Sequence, residues 1–228
     1  MKDIKLRHEV KHSINTSDYI ALRQRLRVVT KQDPHVDDTG RYRVRSLYFD
    51  NLDDKALKEK ISGVNNREKF RIRYYNEDFD YIKLEKKSKI NGLCTKKSTM
   101  LTKEQCEKII NGNIQWMMST EDPLLVELYT KMNFQQLRPK TLVDYIREPY
   151  IYKPGNVRIT IDSEIKTGLN SKELFNKEVA TMRTHDKNFI ILEVKFDEFL
   201  PEIIRDIIQV NNRQHTAFSK YAVCRVFG

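Results

Sequence analysis

The sequence is poor in the residues that punctuate or cross-link a protein chain. It has 7 glycines, 6 prolines and 3 cysteines among 228 residues. With so few glycines and no Walker-type loop, a phosphate cradle built from backbone amides is not expected. The cysteines, Cys94, Cys106 and Cys224, are odd in number and far apart. They therefore predict neither a disulfide framework nor a cysteine-ligated metal, and they fit a reducing compartment.

Long apolar runs are also missing. No run approaches the ~20 residues that a membrane-spanning helix needs. The stretch from Met1 to Ser13 carries charges throughout and lacks the apolar segment of a signal peptide. These absences predict a cytoplasmic protein without a membrane segment.

Positive charge is abundant. The chain has 42 Lys and Arg against 32 Asp and Glu, a formal net charge of +10, and 39% hydrophobic residues. Such an excess favours a polyanionic partner, which is nucleic acid, an anionic membrane or a phosphate-rich small molecule. The length and the hydrophobic content fit a single domain over residues 1–228.

Strand-like segments alternate with helical ones. Eight segments read as strands: Ile4–Ser13, Arg41–Phe49, Arg67–Tyr75, Tyr81–Ser88, Leu93–Leu101, Lys140–Tyr150, Val157–Asp162 and Phe189–Phe196. Helical patterns occupy Thr16–Val29, Leu52–Ile61, Thr102–Asn111, Glu121–Met132 and Pro201–Val210. Short turns between strands indicate antiparallel pairing, and eight strands suffice to close a barrel. The predicted fold is α+β, an eight-stranded antiparallel β-barrel tunnel with flanking helices.

The strands carry charge at every second position. Lys69, Arg71 and Arg73 alternate with Phe70 and Ile72, so that one face is cationic and the other apolar. The same alternation recurs at Arg7, Glu9, Lys11, Arg41, Arg43, Arg45, Lys83, Glu85, Lys87, Arg158, Thr160, Asp162, Glu193 and Lys195. A sheet with one solvated face is the ordinary explanation for any single strand.

Several cationic strands together need a further explanation. Cross-strand neighbours lie about 5 Å apart, and like charges there are destabilising unless an anion lies among them. Glu9, Glu85 and Glu193 share these faces and would repel phosphates unless Mg²⁺ or Mn²⁺ lay between. No aromatic stacking platform and no helix-turn-helix, zinc-finger or RRM signature is present, so nucleic acid is not the expected anion.

A set of motifs resembles a known family. In chain order they are RHEVKH, YFDN, REKFRIRYY, LEKKSK, VDYIREPY, VRITID, ILEVKFDEFLP and FSKY. The set resembles the VTC domain of vacuolar transporter chaperone polyphosphate polymerases, which are triphosphate tunnel metalloenzymes of the CYTH superfamily. The resemblance spans essentially the whole chain, and the ordered set is specific although each motif alone is weak.

The resemblance implies the site residues. By motif, the phosphate contacts are Lys11, Arg71, Arg73, Lys87, Arg147, Arg158, Lys220 and either Lys96 or Lys97, with Lys96 preferred. The charged strand faces add Arg43, Arg45, Lys69, Lys83 and Lys195. Glu193 matches the family's metal-binding glutamate, and Glu9 and Glu85 are further candidates for Mn²⁺ or Mg²⁺. Tunnel enzymes begin with Glu-x-Glu-x-Lys, whereas this chain has Arg7-x-Glu9-x-Lys11, which removes one potential metal ligand.

Three functions are compatible with this pattern. The first is a polyphosphate polymerase that transfers the γ-phosphate of ATP to a growing polyphosphate chain. The second is a triphosphate or polyphosphate hydrolase on the same fold, with water as the acceptor. The third is a non-catalytic module that binds polyphosphate or nucleic acid.

Overall fold

The computed structural model describes residues 7–186 and 188–227, which form eleven strands and six α-helices in this part of the chain. The strands are β1 (His8–Ile14), β2 (Lys31–Gln32), β3 (Tyr42–Asp50), β4 (Arg67–Tyr75), β5 (Asp78–Ile90), β6 (Leu93–Leu101), β7 (Arg138–Tyr152), β8 (Val157–Thr167), β9 (Met182–Arg183), β10 (Ile190–Phe196) and β11 (Gln214–His215). The helices are α1 (Thr16–Val29), α2 (Lys55–Ile61), α3 (Lys103–Ile110), α4 (Pro123–Phe134), α5 (Glu202–Ile207) and α6 (Lys220–Val226).

The chain divides into two compact units. The first unit contains the described residues up to Arg43 together with Tyr145–Ile165 and Arg183–Phe218. The second unit contains Val44–Asp144, Lys166–Met182 and the described residues from Ser219 onward.

In the first unit, β10 lies between β1 and β8, and both pairings are antiparallel. Alternation along β8 and β10 turns Ile159, Leu192 and Val194 into an apolar core. Leu22 of α1 and Ile204 of α5 complete the opposite side of that core. The helices therefore cover the apolar face of the strands, and the charged positions belong to the other face.

The second unit repeats this arrangement. Strands β3, β4, β5 and β6 pair antiparallel in chain order. Phe70, Ile72 and Leu84 pack with Ile109 of α3 and Leu128 of α4, and all five are buried to 1% exposure or less. The expectation that the apolar strand faces pack against helices is confirmed in each unit.

The strand order is β11-β1-β10-β8-β7-β3-β4-β5-β6, with β2 on β7 and β9 on β8. Over residues 7–186 and 188–227, the end strands β11 and β6 do not pair with each other. The prediction of a closed eight-stranded barrel is therefore wrong: in the described part of the chain the sheet is open and has eleven strands. Closure would need a partner along the length of β6, and β11 offers only two residues. The α+β class, a mostly antiparallel sheet with flanking helices, is confirmed.

Local signals account for the helix ends. Helix α1 has the predicted bounds, and its N-cap is Asn15, whose Oδ1 accepts a hydrogen bond from the Asp18 amide at 2.8 Å. Thr102 and Gln105 form a reciprocal capping box at α3. The first three residues of the predicted strand Ile4–Ser13 lie outside the described residues. None of the helices in the described ranges is long and apolar enough to cross a bilayer.

Candidate functional site

The register of β1, β10 and β8 arranges the charged face of the first unit in rows. One row is Lys11, Glu193 and Thr160, and the row beside it is Glu9, Lys195 and Arg158. Because each row crosses three hydrogen-bonded strands, its side chains are direct neighbours on one face.

Two glutamates and two lysines form an alternating cluster within these rows. Lys11 Nζ lies 3.1 Å from Glu9 Oε1 and 3.5 Å from Glu193 Oε2. Lys195 Nζ lies 2.5 Å from Glu193 Oε1 and 3.7 Å from Glu9 Oε2. Burial alone would lower the pKa of Lys11, but the carboxylates of Glu193 and Glu9 outweigh it and raise that pKa. Lys11 also donates to the Phe218 carbonyl at 3.1 Å, which fixes the direction of its ammonium group.

This cluster suits a metal that completes its shell with substrate. Mg²⁺ and Mn²⁺ prefer oxygen ligands and are commonly held by one or two carboxylates plus phosphate oxygens. Glu9 and Glu193 can supply that pair of carboxylates. Among the described residues, no group of three or more His, Cys, Asp or Glu side chains could hold a metal. Two carboxylates fit a cation whose other ligands are phosphate oxygens.

Arg147 is held by a fully buried carboxylate. Its Nε and Nη2 donate to the two oxygens of Asp162 at 2.7 and 2.8 Å. Burial alone would lower the pKa of Arg147, but Asp162 and neighbouring groups outweigh it and raise that pKa. The guanidinium also lies 5.2 Å from the centre of the Tyr145 ring. The orientation of Arg147 is thus set before any ligand arrives.

Arg158 is more exposed, with 39% of its side chain accessible. Its Nη2 donates to Asp33 Oδ2 at 2.8 Å and to the Tyr42 hydroxyl at 3.1 Å.

Glu85 organises the charged face of the second unit. Nε and Nη2 of Arg71 donate to Glu85 Oε2 at 2.8 and 2.6 Å, and Arg73 Nη1 lies 3.6 Å from the same oxygen. Lys96 Nζ donates to Glu85 Oε1 at 3.2 Å. Burial alone would raise the pKa of Glu85, but these three cations hold it well below its usual range. Both carboxylate oxygens are therefore engaged by cations.

Lysines are aligned across three strands in the row beside Arg71 and Glu85. The register places Lys69 opposite Lys87, and Lys87 opposite Lys96. Lys96 therefore shares the face of Glu85, and Lys97 points to the other face. Lys83 lies one row beyond Glu85, with Nζ 4.2 Å from the centre of the Tyr81 ring.

Tyr48 of β3 extends the same face. Its hydroxyl accepts a hydrogen bond from Arg71 Nη1 at 2.7 Å, and Lys69 Nζ lies 5.4 Å from its ring centre. Burial alone would raise the pKa of Tyr48, but the charges of Arg71, Lys69 and Arg73 lower it to about 7. In the sequence, Tyr48 is visible only as part of the YFDN motif, because an uncharged residue does not stand out in a charge pattern.

Arg45 lies on the opposite face of β3. It shares that face with Leu47, and its Nε and Nη2 donate to the two oxygens of Asp144 at 2.9 Å each. Strand alternation places Arg43 on the same side as Arg45. The face of β3 that continues from Arg71 and Arg73 instead carries Ser46 and Tyr48. The geometry of Arg45 is that of a buried ion pair and offers no support for phosphate binding.

Lys220 is the first residue of α6, a helix that the sequence patterns missed. The Tyr221 hydroxyl donates to Asp50, and Thr167 Oγ1 donates to the Cys224 carbonyl at 3.0 Å. Asp50 also accepts from the backbone amides of α2, at Ala56 and Leu57. These bonds fix α6, and with it the start of the Lys220 side chain. Asp50 is the third residue of the YFDN motif, and this motif is the part of the sequence that could have indicated its role.

The family model for the VTC domain matches residues 6–227. No curated protein sequence matches the chain at a significant level.

Among solved structures, the chain is similar to PH1819 of Pyrococcus horikoshii, with 12% identity and a TM-score of 0.46 over 95% of this chain and 97% of that one. It is similar to the Bacillus halodurans protein bh2851, with 13% identity and a TM-score of 0.48 over 84% and 80%. PH1012 of Pyrococcus horikoshii has 14% identity and a TM-score of 0.45 over 89% and 85%.

Proposed function

Because the chain belongs to the VTC domain family, we propose that it is a metal-dependent polyphosphate polymerase that uses ATP. In this reaction a terminal oxygen of the acceptor chain forms a bond to the γ-phosphorus of ATP. The bond from that phosphorus to the β-phosphate oxygen breaks, and ADP leaves with the electron pair.

One observation carries the proposal. Lys69, Lys87 and Lys96 stand directly opposite one another on three adjacent strands. Like charges in such positions are destabilising unless a counter-charge lies among them. A chain of phosphates supplies anionic oxygens at every phosphorus and can contact successive cations along the row. A small monoanion is too short to contact all three lysines at once.

The side chains of this protein mainly bind and orient phosphates. Phosphoryl transfer needs little covalent work from protein groups, so that positioning and charge neutralisation dominate. Arg71, Arg147 and Arg158 are planar donors that can hold two phosphate oxygens at once, and each is oriented by a carboxylate. Lysines add point charges. The position of α6 determines where the Lys220 side chain begins.

Glu193 and Glu9 would hold the divalent cation, with Mn²⁺ or Mg²⁺ as the ion. When bound, such a cation neutralises charge on the phosphate oxygens. Glu85 accepts two hydrogen bonds from Arg71 and also lies beside Arg73 and Lys96. We assign Glu85 the task of orienting those cations.

The products made from ATP test the proposal. Purified chain is incubated with ATP and Mn²⁺, and the products are separated on a gel. A ladder of lengthening phosphate chains is expected from the wild type. Orthophosphate as the sole product would instead establish a hydrolase, and unchanged ATP would favour a binding module.

The variant Glu193→Gln keeps the shape of the side chain but lacks the charge that a hard cation requires. It should form no ladder while retaining a cooperative unfolding transition. Glu164→Gln is the matched control, since Glu164 is exposed and pairs with the partly exposed Arg183 at 3.3 Å. A full ladder from Glu193→Gln at limiting Mn²⁺ would exclude Glu193 as an essential ligand.

A further inference from the structure

Thr160 occupies the middle of the charged face in the first unit. It lies in β8 between Arg158 and Asp162, and it stands directly opposite Glu193 of β10. Its side chain is on the charged side because the flanking residues, Ile159 and Ile161, enter the apolar core. It is an uncharged donor among ionised neighbours.

The hydroxyl of Thr160 is buried and unsatisfied. Thr160 is only 3% exposed, and within the described part of the chain its Oγ1 has no hydrogen-bond partner. The great majority of buried polar side-chain atoms do have partners, because burying a hydroxyl without one is unfavourable. A hydroxyl kept in such a position on a ligand-binding face points to a partner that arrives with the ligand.

The neighbouring acceptors are already committed. Both oxygens of Asp162 accept from Arg147, and both oxygens of Glu193 face Lys11 or Lys195. The remaining acceptor that this face is suited to receive is an oxyanion. A hydroxyl can donate to that oxyanion without adding a further positive charge to a crowded cationic face. Because threonine is branched at Cβ, few χ1 rotamers are open to it, so the direction of its donor is fixed in advance.

We propose that Thr160 Oγ1 donates a hydrogen bond to a phosphate oxygen of the bound triphosphate or polyphosphate. The inference rests on the proposed function and adds to it an uncharged contact in the row of Lys11 and Glu193. Thr160 then distinguishes a correctly placed phosphate from one held loosely by charge, since a hydrogen bond depends on direction more than an ionic attraction does.

Calorimetric titration with tripolyphosphate tests the contact directly. The titration is carried out with chelator and without divalent cation, so that only protein groups hold the anion. Thr160→Val preserves the shape of the side chain and removes the hydroxyl, and it should bind about tenfold more weakly than the wild type, as expected for a lost hydrogen bond to a charged group. Thr160→Ser retains a hydroxyl and should bind within about twofold of the wild type.

Unfolding without ligand gives a second readout. Removing an unsatisfied buried hydroxyl should raise the thermal midpoint of Thr160→Val above that of the wild type. The matched control is Thr184→Val in the same unit. Thr184 is equally buried, but its hydroxyl donates to the Ile165 carbonyl at 3.3 Å. That variant should have a lower midpoint and unchanged tripolyphosphate affinity. If Thr160→Val does not fold, Thr160→Ala removes the same hydroxyl and serves in its place.

The outcomes separate the inference from the proposed function. If Thr160→Val binds tripolyphosphate as tightly as the wild type does, the inference is overturned and the proposed function stands. If Thr160→Val loses affinity only when Mn²⁺ is added, the hydroxyl acts on the cation, and the inference is again overturned. A midpoint lowered as much as in Thr184→Val would mean that the hydroxyl is satisfied within the protein. A wild type that does not bind tripolyphosphate would overturn both.

Discussion

Arg147 and Asp162 face each other from β7 and β8 as a bidentate ion pair. The two hydrogen bonds measure 2.7 and 2.8 Å, Asp162 is fully buried and Arg147 is 9% exposed. The guanidinium therefore has two of its three nitrogens committed to Asp162. The carboxylate fixes the plane of the arginine and offsets its charge while no ligand is bound.

Breaking this pair should be costly. Asp162→Asn leaves a buried guanidinium without its counter-charge, so the free energy of unfolding should fall by about 3–5 kcal/mol. Urea denaturation of the wild type and the variant measures the difference. Glu104→Gln is the control, because it removes the carboxylate of an exposed pair with Lys108. The control should unfold at the wild-type midpoint, and an equal midpoint for Asp162→Asn would show that the pair contributes nothing.

Two arginines that we propose to bind phosphate should contribute differently to stability in the absence of ligand. Arg71→Ala removes two hydrogen bonds from Glu85, which is 2% exposed, and should lower the free energy of unfolding by about 1–3 kcal/mol. Arg158→Ala removes a half-exposed partner of Asp33 and should cost less than about 1 kcal/mol. Denaturant titration ranks the two variants. The reverse order would show that Glu85 is satisfied without Arg71.

The same two variants should respond alike to ligand. Tripolyphosphate binds the folded state, so at ~100-fold its Kd it should stabilise the wild type by about 2.7 kcal/mol. Each alanine variant lacks a donor to phosphate, and its ligand-induced rise in melting temperature should be smaller. An oligonucleotide at matched phosphate concentration is the comparison. If it stabilises the wild type more than tripolyphosphate does, the polymerase assignment fails.

Tyr48 should make stability depend on pH. Its pKa in the folded protein is about 7, against 10.0 ordinarily, because the charges of Arg71, Lys69 and Arg73 outweigh burial. The unfolded chain therefore binds more protons between these values, and stability rises with pH across that window. The contribution is fully present above the unfolded pKa and is lost as the pH falls through the folded pKa.

Comparison of the wild type with Tyr48→Phe isolates this contribution. The difference in unfolding free energy between the two proteins should grow from about pH 7 to about pH 10. Ultraviolet absorbance of the phenolate follows the ionisation in the folded wild type. A difference that stays constant across this window would contradict the lowered pKa.

Period-two alternation predicted the long elements well. The bounds of β4 and β6 are those expected, as are those of α1, because long runs of one period leave little ambiguity. The two-residue strands could not be found this way, since two residues have no period. The open sheet was missed because the period of a strand shows which residues share a face and not whether the end strands of the sheet pair.

Charge alternation predicted which positions share a strand face, but it could not show their partners on distant strands. Arg45 belongs to an alternating run, yet its partner Asp144 lies on a strand far along the chain, and that pair decides the direction of its side chain. Thr160 and Tyr48 carry no formal charge and stayed hidden in a pattern read from charges. Their importance depends on burial and on neighbours, which the sequence does not show.

The register of β10 restricts how this chain can vary in length during evolution. Deleting one residue within the strand, before Glu193, would turn Glu193 and Lys195 toward the core and Val194 toward the charged face. Buried charges and an apolar patch would appear together, so that folding and function would be lost in one step. Length changes should therefore accumulate in the turns of related sequences, and within this strand they should occur only in pairs.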